Sequence, residues 1–149
     1  MNGSEVLLLV VTALCLYCTG ASWMLQVVCY PTYTLVGENE FVPFHVDFGK
    51  RLLLAAVGPM VITILAMFAL VVARPADAPL WALLVVAACG AVVLVTTIAL
   101  EVPKHNRLDR EGKSNAVIAA LVRDNIPRVI CWTVASVLLV YTISVVFQN

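Results

Sequence analysis

Charge is what this sequence has little of. Of 149 residues only 12% are charged, nine basic against nine acidic, while 62% are hydrophobic. A soluble domain carries about 25% charged and 45–50% apolar residues, so an ordinary soluble fold is excluded. The zero net charge excludes a nucleic-acid partner held by a general basic field. Histidine is scarce as well: two residues cannot make the histidine-rich boxes of membrane desaturases, and no Glu-x-x-His pair exists for a di-iron centre. No ionisable residue stands in the middle of an apolar run, which argues against a small multidrug exporter or a proton-coupled carrier. A cysteine framework is missing too. Cys15 and Cys18 form a Cys-x-x-Cys, as in quinone-reducing thiol enzymes of the vitamin K epoxide reductase type. The second loop pair such chemistry needs is absent, and Cys29, Cys89 and Cys131 are scattered, so these residues read as apolar filler.

What is present are long uncharged runs: Val6 to Gly37, Leu52 to Ala73, Ala78 to Leu100 and Val129 to Asn149. About 20 helical residues cross roughly 30 Å of hydrocarbon, so each run supplies one span. Backbone groups in lipid must be satisfied internally, and no period-2 alternation is seen, which selects helices over a barrel. The expectation is a single all-α domain over 1–149, an integral membrane four-helix bundle with spans near 6–30, 50–73, 79–101 and 126–147. A cleaved signal peptide is disfavoured for the first run because Met1 to Glu5 carries no basic residue and the run continues past Trp23.

Four spans put both termini and the Arg74–Pro79 turn on one side, with a Glu38–Arg51 loop and a long Glu101–Arg128 loop on the other. Arg74 is the one basic residue of the first side, whereas the second holds Lys50, Arg51, Lys104, Arg107, Arg110, Lys113, Arg123 and Arg128. The positive-inside rule then makes the long segments cytoplasmic and the termini extracytoplasmic. Within the last segment, Ser114 to Arg123 is expected as a short amphipathic helix with Val117, Ile118 and Leu121 on one side. Asp124 or Asn125 caps the fourth span, and Pro127 lies in its first turn. Pro59, Gly58 and Gly90 mark kinks and close packing.

The uncommon polar and aromatic residues collect at the same end. Trp23, Gln26 and Tyr30 fall at i, i+3 and i+7, one helical face; Asn125, Arg128 and Trp132 repeat that spacing on the fourth span. His45 precedes the second span and His105 follows the third, where a bundle can bring them together. With Arg51 and Glu101 these residues define a candidate pocket of convergent polar groups in apolar surroundings. In that pocket His45, His105 and Glu101 are the candidate catalytic residues, the imidazoles as acid/base groups. Trp23, Gln26, Tyr30, Arg51, Asn125, Arg128 and Trp132 are the candidate ligand-binding residues, the arginines suited to an anionic group. His45 and His105 are also admissible ligands for a metal ion or a haem.

Trp23-x-x-Gln26, Tyr30-Pro31, Phe41, His45, Val102-Pro103-x-His105-x-x-Leu108 and Asn125-x-x-Arg128-x-x-x-Trp132 together resemble an uncharacterised bacterial family of four-span membrane proteins. The chain is more distantly similar to the anthrone-oxygenase-like membrane family, which has Pro-x-Asn-x-x-Leu after the third span; here His105 takes the asparagine's place and Asn106 is adjacent. The resemblance implies that these residues form one signature, and it implies a bacterial inner membrane. The functional expectation is a pocket for a small hydrophobic molecule or cofactor, with oxidoreductase or oxygenase-like chemistry in view. The alternatives are an accessory subunit of a larger membrane complex or a homo-oligomer, and a carrier for a lipid-like molecule.

Overall fold

The computed structural model describes residues 1–148, and among them the chain folds as four long helices: α1 (Gly3–Leu35), α2 (Glu38–Val72), α3 (Leu80–Glu111) and α4 (Asn115–Gln148). Each is long and apolar enough to cross a membrane, which makes this a multi-pass membrane protein with an all-α four-helix bundle. The helices pack as a closed ring: α1 against α2 and α4, and α3 against α2 and α4. Large apolar side chains such as Leu54, Leu65, Val72 and Ile98 cover the outside. Leu8, Val11, Ile64, Met67, Leu70, Val86, Val93 and Leu139 fill the inside. Gly90 lets α3 approach α2, since a Cβ there would stand 3.2 Å from the Met67 sulfur.

The helices outrun the apolar stretches that announce them. At 1.5 Å per residue, 33 residues extend about 50 Å, well past roughly 30 Å of hydrocarbon. Both segments expected as long loops are therefore mostly helical: α2 begins at Glu38 and α3 runs on to Glu111. Their charges sit on helix surfaces as i,i+4 pairs, Asp47 with Arg51 and Arg107 with Glu111, a spacing that supports a helix. The connections shrink to Val36–Gly37 and to a turn at Gly112, whose φ of 84° suits glycine. Lys113 joins the two turns by donating to the carbonyls of Thr34 and Val36. The amphipathic segment Asn115–Asp124 forms as expected, capped by Ser114, with Val117, Ile118 and Leu121 buried. It packs on Tyr30, Tyr33, Phe41 and Leu108.

Three helices share one irregularity at one offset. Leu25–Cys29, Leu53–Val57 and Thr97–Glu101 are wide π-turns, in which the amides of Tyr30, Gly58 and Val102 bond the carbonyls of Leu25, Leu53 and Thr97, five residues back. A proline stands two residues after each: Pro31, Pro59 and Pro103. Proline has no amide hydrogen and its ring collides with the carbonyl four residues earlier; widening the preceding turn relieves that collision. The freed carbonyls still need donors, because lipid offers none. Ala55, four residues before Pro59, receives one from the Tyr17 hydroxyl of α1 at 2.7 Å.

This tie can be measured. Tyr17→Phe should lower the unfolding free energy in detergent by about 1 kcal/mol. In a Pro59→Ala background, where an amide hydrogen is restored next to Ala55, the same substitution should cost markedly less. Equal costs in the two backgrounds would show that the hydroxyl does not serve the orphaned carbonyl.

Candidate functional site

The three π-turns face one another, and between them lies a cavity of about 80 Å³, room for several waters or one small polar group. Leu25 of α1, Ala56 and Val57 of α2, and Thr97 and Glu101 of α3 come from the wide turns themselves. Tyr30, Val102 and His105 come just after them in the chain, and Arg128 and Trp132 close the wall from α4. π-turns concentrate at functional sites because they re-aim side chains that a regular helix would stack. Here the extra residue rotates the remainder of each helix by about 100°.

That rotation decides the fate of the first sequence triplet. Trp23 and Tyr30 do not share a face: Trp23 is 49% exposed, its indole donating to the Thr133 hydroxyl at 3.1 Å. Tyr30 is 1% exposed and lines the cavity. The i, i+7 expectation assumes an unbroken α-helix, and the π-turn at 25–29 breaks it. Gln26 and Asn125 find each other, Asn125 Nδ2 donating to Gln26 Oε1 at 2.8 Å while Gln26 Nε2 donates to the Val122 carbonyl at 3.0 Å. They lace α1 to the bend in α4 and stand outside the cavity wall. Arg51 is excluded from the cavity as well; its guanidinium is spent on Asp47 at 2.8 Å, on the surface.

Glu101 and Arg128 are the polar heart of the cavity. Both are buried, at 2% and 8% exposure, and they stand 3.7 Å apart. That is close enough for attraction but too far for a hydrogen bond. Both carboxylate oxygens of Glu101, Nε of Arg128 and the hydroxyl of Ser22 have no hydrogen-bond partner among the described residues. All three residues line the same cavity. An unmet buried polar group costs about 1–3 kcal/mol, more when charged. Four such atoms converging on one space from α1, α3 and α4 form a set of donors and acceptors waiting for a partner.

The two histidines do meet. Asp109 Oδ1 lies 2.6 Å from His45 Nδ1, and His45 Nε2 lies 3.1 Å from His105 Nδ1. A carboxylate only accepts, so His45 carries a proton on Nδ1; in its neutral form it then offers Nε2 to the Nδ1–H of His105, which leaves Nε2 of His105 as the unprotonated nitrogen. Asp109 is 38% exposed on its side chain, His45 is buried, and His105 lines the cavity. The chain Asp109–His45–His105 thus runs from the outer surface of the polar end to the cavity wall. Aromatic rings hold it in place: Tyr33 edge-on to His45 at 5.2 Å, Phe41 stacked on His45 at 5.5 Å, Tyr30 against His105 at 5.7 Å. Lys104 and Asp124 pair at 2.8 Å beside the site, tying α3 to α4.

As a metal site the pair is incomplete. Its nitrogen spacing suits two neighbouring ligands of one ion, and a carboxylate behind a ligating imidazole is a common support. A third donor is what such sites require, and among the described residues no group of three His, Cys, Asp or Glu is arranged to hold a metal. A haem between the rings needs nitrogens about 4 Å apart on opposite sides of the iron, twice a metal–imidazole distance. The rings are instead in direct contact, stacked at 5.1 Å. Cys18 is buried on the cavity wall, hydrogen-bonded to the Thr63 hydroxyl, and Cys15 is buried outside the cavity, its sulfur accepting from the Ser136 hydroxyl.

The residues that sequence reasoning missed are Asp109, Tyr33 and Ser22. Asp109 stands four residues after His105 on one helix face, a signal hidden by reading 101–128 as a loop. Fold and site together define a class: a four-helix membrane bundle with a small cavity lined by buried charged and polar side chains at its polar end. No protein family, curated protein or solved structure matches the chain.

The hydrogen-bond order of the chain is open to test by NMR of histidine-labelled protein in nanodiscs. Asp109→Asn replaces a charged acceptor with a neutral one, so the His45 Nδ1 proton should move upfield. Asp47→Asn, two residues from His45 in sequence but paired with Arg51, should leave it in place. An unmoved resonance in Asp109→Asn would remove the aspartate from the chain.

Proposed function

We propose that this protein binds a small molecule with a hydrophobic body and a polar group, and that it handles a proton on that group. The observation that carries the reading is the convergence of the unpartnered Glu101, Arg128 and Ser22 atoms on one cavity. A merely structural ion pair would close to hydrogen-bond distance, because desolvating two charges is repaid only by good geometry. Held 3.7 Å apart, Glu101 and Arg128 are set for a third party that accepts from the guanidinium and donates to the carboxylate. His105 presents a neutral imidazole nitrogen at the wall, and His45 and Asp109 behind it offer a route for a proton to water. By the charge bias of its segments this end faces the cytoplasm. Acid/base work by these residues needs no metal between the histidines.

Stability and binding should respond in opposite senses. Glu101→Leu alone strands Arg128 and should cost about 3 kcal/mol in a detergent melt. The double variant Glu101→Leu/Arg128→Leu should be at least as stable as the parent. Native mass spectrometry from nanodiscs should find a small molecule on the parent protein and none on the double variant. A double variant that is less stable than either single one, with nothing bound to the parent, would leave the pair a structural lock and refute the reading.

A further inference from the structure

We infer that the ligand is a neutral single-chain lipid with a hydroxyl head, and that it reaches the cavity sideways from the bilayer between α1 and α2. This rests on the cavity being a binding site, and it names what binds there. The cavity is two-sided. Its polar side chains are Ser22 and Tyr30 of α1, Thr97, Glu101 and His105 of α3 and Arg128 of α4, whereas α2 contributes only Leu52, Ala56, Val57 and Met60. On that apolar side the wall is shared with a second space: Ala21, Leu25, Leu52 and Ala56 line both the cavity and a groove of about 550 Å³ on the outside of α1 and α2. The groove opens where the lipid would be and is almost wholly apolar, lined by Leu16, Gly20, Met24 and Ala55, with Tyr17 and the Asp47-paired Arg51 also on its wall. Its volume is that of an ordinary ligand site.

The head chemistry is set by the charges. Glu101 and Arg128 cancel, so a carboxylate or phosphate head would gain from the arginine and be repelled by the glutamate beside it. A hydroxyl accepts from Arg128 Nε and donates to a Glu101 oxygen, meeting both unpartnered groups at once. Its tail then lies in the groove, where covering apolar surface and staying in lipid are nearly equivalent. Specificity therefore resides in the head.

The test uses photoactivatable diazirine probes in phosphatidylcholine nanodiscs: hexadecanol, the matching fatty acid, the matching alkane, and a diazirine butanol with no long chain. Labelled residues are mapped by peptide mass spectrometry. The long-chain alcohol should label residues lining the groove and Glu101 about tenfold more than the acid or the alkane, a preference of about 1.4 kcal/mol. Unlabelled hexadecanol should compete. Gly20→Phe and Ala55→Trp both point into the groove from lipid-exposed positions, and a Cβ at position 20 meets nothing within 4 Å. Each should fold normally and abolish Glu101 labelling by the long-chain alcohol while sparing labelling by the butanol. Equal labelling by the three long probes would mean annular lipid only and overturn the proposal. If the butanol labels Glu101 but the long alcohol does not, the cavity binds and the lateral route fails. If neither labels it, the binding reading fails with it.

Discussion

An amide hydrogen that three prolines do not have shapes the functional end of this bundle. In water a missing backbone bond is repaired by solvent; in lipid it has to be repaired by the protein, or avoided by changing the helix. Pro31, Pro59 and Pro103 each stand two residues beyond a π-turn, and the three turns meet at one level because the helices pack as a ring. Widening a turn leaves backbone volume that is hard to fill. Three widened turns facing one another leave a cavity, and they swing Tyr30, Glu101 and His105 towards it. The site is therefore a by-product of how the backbone satisfies itself, placed where the hydrocarbon gives way to the polar layer.

That placement reconciles two demands that conflict at mid-membrane. Ionisable groups in the centre of the bilayer are costly, yet acid/base chemistry on a hydrophobic molecule needs charge near lipid. Running the helices some distance past the hydrocarbon lets Glu101 and Arg128 be buried in protein instead of lipid. It also lets the hydrogen-bonded line through His45 and His105 end on a partly exposed Asp109. The aromatic layer of Tyr30, Tyr33 and Phe41 keeps the histidines dry and oriented. Lys104 with Asp124 and Lys113 across the two turns clamp the periphery.

The architecture is legible in the sequence because apolar run length reports directly on spans, and four runs correspond to four helices. The meeting of His45 and His105 is legible too, since both flank spans at the same end. Phase is not. Grouping Trp23 with Tyr30 assumes 3.6 residues per turn, and the hint of an inserted residue is Pro31, which marks a disturbance without giving its sense. Arg51 resembles a pocket cation because it comes after the histidine at the start of the second apolar run, but Asp47 one turn earlier claims it. Asp109 is hidden for a related reason: charge density suggests a loop, and a loop conceals its i+4 relation to His105. Hydropathy locates lipid, and it is silent on where a helix ends once it leaves lipid.

The two walls of the cavity impose different traffic. On the side of α3 and α4 every polar atom is either buried or linked, through His105 and His45, to the outer surface of the polar end; only a proton can pass along such a chain without moving heavy atoms. On the side of α1 and α2 the wall is thin and apolar, made of Ala21, Leu25, Leu52 and Ala56 with the groove behind it. A molecule with a chain can part these small side chains at little cost, whereas an ion cannot cross them without losing its hydration. In the proposed function, water-borne protons and a lipid-borne ligand would thus approach the same carboxylate from opposite directions. Such a separation would let a bundle of this size bring a hydrophobic molecule to a buried acid without opening a leak across the membrane.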